Sequence, residues 1–79
     1  MTPLLKLATA LDRCDTERHK VNFIKNNPAV VVSAFASSHL ENPTAEDVMQ
    51  ILFRKHRCRI LNSTGALICQ TLQAAAKAA

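Results

Sequence analysis

Three observations predict an all-α fold, a compact bundle of four to five short helices, for these 79 residues. Glycine occurs once and proline three times, too few turn residues for an all-β chain. Ala, Leu, Gln, Lys and Arg, all good helix formers, are plentiful. Apolar side chains also recur at helical rather than alternating spacing through most segments. The chain reads as one small helical domain, 1–79. A core this small is marginal, so a homodimer or a bound partner subunit is the natural supplement. At 48% hydrophobic the sequence is too apolar for intrinsic disorder.

The first helix opens at Thr2-Pro3, a capping hydroxyl followed by proline at the first helical position. Leu4, Leu7, Ala8 and Leu11 follow at i, i+3, i+4 and i+7, through about Arg13. The segment 3–26 allows two readings: one long helix, or a break at Cys14-Asp15-Thr16 with Asp15 capping a second helix. Its Glu17 and Lys20 read as an exposed local pair contributing about 0.3 kcal/mol. Asn26-Asn27-Pro28 is the clearest punctuation, with Asn27 expected to cap a third helix carrying Val30, Val31, Val32, Ala34, Phe35 and Ala36. That helix is expected to end near His39-Leu40, with Glu41-Asn42-Pro43 as the turn that follows.

Thr44 to Arg59 organises the rest. Thr44 is placed to cap, and Glu46 and Asp47 sit near the positive end of the helix dipole. Val48, Ile51 and Leu52 form the apolar stripe, widened by Met49 and Phe53. Arg54, Lys55, Arg57 and Arg59 then gather charge at the negative end. Asn62-Ser63 reads as a further capping signal before a last helix from about Thr64, which buries Leu67, Ile68, Leu72 and Ala75. Gly65 in its first turn costs about 1 kcal/mol against alanine unless a close approach requires it.

The net charge of +4 is unevenly spread: from Val48 onward there are five basic residues and no acidic one. Such a half attracts a polyanion or an acidic protein. Three cysteines at wide spacing argue against a disulfide framework and for a cytoplasmic or other reducing compartment. With no C-x-x-C and no H-x-x-x-H, neither a metal nor a cofactor is expected. Lys6 interrupts the first apolar run, so a signal peptide is not expected. No apolar stretch reaches about 18 residues, so no membrane span is expected. Catalysis is not expected either. Cys58 lies beside His56 and Arg57, which favours a lowered thiol pKa, but no third group orients the pair.

Two functions follow. The first is a regulatory protein binding nucleic acid through a helix-turn-helix-like pair at 44–76. There Arg54, Lys55, Arg57 and Arg59 meet phosphates, while Asn62, Ser63, Thr64 and Gln70 supply hydrogen-bonding groups for base edges. The alternative is a protein-interaction module, an inhibitor, adaptor or subunit, docking on an acidic partner through an apolar face that includes Leu4, Leu7 and Leu11. Pro43-Thr44-Ala45-Glu46-Asp47-Val48 resembles the start of a helix in the winged-helix domain of the ferric-uptake-regulator family, and Ser63-Thr64 is a fainter echo. The sequence ends where that family's wing begins and lacks its His and Cys pattern, so no residue roles are carried over.

Overall fold

Each helix begins for a local reason, and the exceptions explain the packing. In the computed structural model, which describes residues 2–38, 40 and 42–78, helix α1 (Pro3–Asp12) is capped by the Thr2 hydroxyl, which accepts from the Leu5 N–H at 3.1 Å. Two separate helices occupy 3–26, because Arg13 ends α1 and Thr16, rather than Asp15, caps α2 (Glu17–Asn26) by accepting from His19 N–H. Asn27 also departs from expectation. Its side-chain amide donates to the Phe23 carbonyl at 2.9 Å, so it closes α2 and gives α3 (Pro28–Phe35) no side-chain cap. Pro28 has no N–H to orphan, which lowers the cost. A 3-10 turn, Ala36–Ser38, extends α3; the expected end at His39 and the turn at Glu41 lie outside the described residues.

Helix α4 (Ala45–His56) has the expected Thr44 cap in a reciprocal form. The Thr44 hydroxyl accepts from Asp47 N–H, and the Asp47 carboxylate accepts from Thr44 N–H, both at 3.2 Å. Helix α5 (Asn62–Ala78) starts two residues earlier than Thr64 and packs on α2, α3 and α4; α1 packs on α3 and α4. Between them they bury Leu7, Leu11, Ile24, Val31, Phe35, Val48, Leu52 and Ile68. The described residues contain no strand, and no helix is long and apolar enough to cross a membrane.

The leucine face of α1 is therefore core. Leu7 and Leu11 have no exposed surface and Leu4 is only half-buried against the same cluster, so these residues do not form the open apolar face expected of a docking module. The stripe turns inward because α3 and α4 cover it.

Gly65 lies where α5 packs close against α4. A Cβ built there would lie 3.0 Å from Met49 Cγ and 3.1 Å from the Ala45 carbonyl oxygen. Met49 can rotate away, but the carbonyl is part of α4. Gly65→Ala is therefore expected to destabilise the protein by about 1 kcal/mol, although alanine favours helix by a similar amount. Thermal melts of the two proteins check this. A raised melting temperature would show that α4 and α5 separate freely.

Candidate functional site

The basic residues are brought together by a single left-handed residue. Arg57 ends α4 with φ 56° and ψ 26°, its N–H bonded to the Phe53 carbonyl at 2.9 Å and that of Cys58 to the Leu52 carbonyl at 3.2 Å. This conformation ordinarily suits glycine and costs another residue about 1–2 kcal/mol. Beyond it the chain lies outside any helix through Leu61, and its side chains alternate. Arg57, Arg59 and Leu61 are exposed, while Cys58 and Ile60 are buried. The two buried side chains anchor the connector, and the two arginines project together away from the core. Residues two apart share a face in an extended segment, which they do not do in a helix.

Both arginines meet over one aromatic ring. The Arg57 guanidinium carbon lies 5.2 Å from the Phe53 ring centroid and that of Arg59 lies 5.1 Å from it. Exposed contacts of this kind contribute about 0.5–1 kcal/mol each and hold the guanidiniums in place. Phe53 is half-buried at the edge of a groove of about 560 Å³, which Arg54, Arg59, Gln50, Asn62 and Glu46 also line. Glu46 marks one side of it, its carboxylate accepting from the Gln50 amide at 3.1 Å.

Of the residues expected to bind nucleic acid, Arg54, Arg57, Arg59 and Asn62 thus converge on Phe53 and its groove. Lys55 is exposed on the last turn of α4 but does not line the groove, and Ser63 is exposed beside Asn62. Gln70 is exposed about 12 Å further along α5. Thr64 is fully buried and its hydroxyl donates to the Glu17 carboxylate at 2.7 Å, so it offers nothing to a base edge. Phe53 itself was legible only as part of the apolar stripe. Its i, i+4 relation to Arg57 was the available signal.

Glu17 supplies what the start of α5 lacks. Besides Thr64 it meets the Leu61 backbone and pairs with Lys20 at 3.1 Å, while Lys20 donates to the Arg59 carbonyl at 3.3 Å. The pair read from sequence as a minor surface contact therefore ties α2 to the connector and to a helix N-terminus 47 residues away. Burial pushes the Glu17 carboxyl up, but the bonds from Thr64 and Lys20, the Lys20 charge and the Leu61 backbone outweigh it and hold the pKa below its ordinary value of 4.5. A lowered folded pKa gives stability that is present above the unfolded value and is lost as pH falls through the folded one. Glu17→Gln is expected to lower stability by about 1–2 kcal/mol near neutral pH, less than a buried bond would because a third of the side chain is exposed. The gap between the two proteins should close as pH drops below about 4.5. Melting temperatures at about pH 7 and about pH 3 check it, and a constant gap would show that the carboxylate charge contributes nothing.

The same connector buries Cys58. Burial, and then the Asp12 carboxylate, push its thiol up to about 12, opposite to the lowering expected from its cationic neighbours. Cys14, Cys58 and Cys69 are all free thiols, and no three His, Cys, Asp or Glu side chains among the described residues could hold a metal ion. No protein-family model, curated protein or solved structure matches the chain.

Proposed function

We propose that this protein binds nucleic acid through the basic face made by the end of α4 and the 57–61 connector. The observation that carries the reading is that Arg54, Lys55, Arg57 and Arg59 are all exposed and none pairs with a carboxylate among the described residues, where the one ion pair is Lys20–Glu17. Four unneutralised cations within six residues raise the local potential, and Phe53 and the buried Cys58 and Ile60 hold two of them in fixed positions. Such a surface suits a phosphate backbone, whose binding is dominated by charge and counterion release. The alternative of a module docking on an acidic protein keeps this face, but two of the three leucines of its apolar contact, Leu7 and Leu11, are core, which favours the first reading.

The test is the binding of labelled oligonucleotides as salt is varied. Three or four phosphate contacts correspond to a slope of about −2 to −4 in log K against log salt, with most of the binding lost by about 200 mM. Binding that is absent at low salt would end the proposal, as would binding that ignores salt.

A further inference from the structure

Phe53 makes one surface of the arginines, and it is a group that duplex binding does not call for. Resting on the nucleic-acid reading above, we propose that the groove takes a single strand, with one base stacked on Phe53 and the flanking phosphates on Arg54, Arg57 and Arg59. Three features point this way.

The ring is already partly confined. Phe53 is half-buried on the penultimate turn of α4, so less freedom is lost when a base meets it than at a fully exposed side chain. In the free protein the guanidiniums of Arg57 and Arg59 lie over the ring at 5.2 and 5.1 Å. A stacked base is held more strongly than an exposed guanidinium, so an incoming base displaces one arginine and leaves it beside its own phosphate.

The groove beside the ring has room for a base. Its volume of about 560 Å³ falls within the range of small-molecule sites, and its walls carry the amides of Gln50 and Asn62. Amides recognise the Watson–Crick edge of a base, which only an unpaired base presents. In a duplex both the face and that edge are already occupied by neighbouring bases, so neither Phe53 nor the amides can be used.

Charge sets the orientation. Glu46 lines the groove alongside Gln50, to which its carboxylate is bonded, and it repels phosphate. The backbone therefore tracks the arginines, and the base points inward toward α4.

The experiment compares an oligothymidylate of about 12 nucleotides with a duplex of the same length at low salt, by fluorescence anisotropy on the full chain. The single strand is expected to bind about tenfold more tightly. Phe53→Leu, which keeps apolar volume at the site, should remove most of that difference, weakening the single strand by more than the duplex. A direct readout needs no variant. With three phenylalanines and no Trp or Tyr, the ring protons of Phe53 can be followed by NMR and should shift upfield on adding the single strand, with Phe23 and Phe35 still. Equal or tighter duplex binding overturns the stacking proposal while the basic face stands. So does a Phe53 ring that does not respond. Absence of binding to either oligonucleotide removes both readings.

Discussion

Leu7→Glu is expected to abolish folding rather than binding. Leu7 has no exposed surface and lies in the cluster that joins α1 to α3 and α4. Truncating such a leucine costs about 2–5 kcal/mol, and a carboxylate in its place adds the cost of an unpaired buried charge. A single core of this size supplies about 3–5 kcal/mol in total. The loss therefore equals or exceeds the whole stability of the domain, and far-UV circular dichroism should show the helical signal gone. Leu4→Glu, on the same helix but half-buried, is expected to cost about 1–2 kcal/mol and leave the helices intact. If Leu7→Glu stayed helical and lost only self-association or partner binding, α1 would be a docking face and its placement in the core would be wrong.

The contrast between these two leucines shows how much of the fold could be read from sequence. The spacing of Leu4, Leu7 and Leu11 specifies a helix with one apolar face, and the helix is there. Spacing carries no information on what covers that face. In this chain the cover is α3 and α4, which begin more than a dozen residues away. Local signals were reliable where the partner is local. Thr2 and Thr44 cap the residues that follow them because both partners lie within one turn. They misled where a side chain had two neighbours to choose from. Asn27 bonds back to Phe23, and the threonine at 64 turns to a carboxylate on another helix.

The functional surface was half legible for the same reason. The basic run from Arg54 to Arg59 stands out as charge, and its position at a helix end is clear from the caps. What gathers Arg57 and Arg59 is a change of period, from helical turns to alternation, at a residue with no glycine to announce it. Burial of Cys58 and Ile60 repays that conformation by anchoring both flanks of Arg59. The alternation Arg-Cys-Arg-Ile is present in the sequence, but it becomes a signal only once the helix is known to stop at His56. The Glu17 link between α2 and α5 has no sequence signature at all, since neither capping geometry nor charge spacing reaches across 47 residues.

Replacing Arg54, Arg57 and Arg59 together by alanine is expected to reduce nucleic-acid binding by about 10²–10³ at about 50 mM salt. Each phosphate contact contributes about 0.7–0.9 to the salt slope, which near that concentration corresponds to roughly tenfold in affinity. The slope should fall by about 2 to 3 with the loss of three contacts. Stability should change little by comparison, since all three side chains are exposed and their contacts with Phe53 are weak. Arg57→Gly separates the two effects more sharply. Glycine adopts φ 56° without the steric cost that arginine bears, so the melting temperature should hold or rise while affinity falls about tenfold. An arginine retained only to end the helix would leave affinity untouched in that variant. Melting curves and oligonucleotide titrations on the same preparation decide between them, because a partner-binding role is the one that lowers affinity in a protein at least as stable as the original.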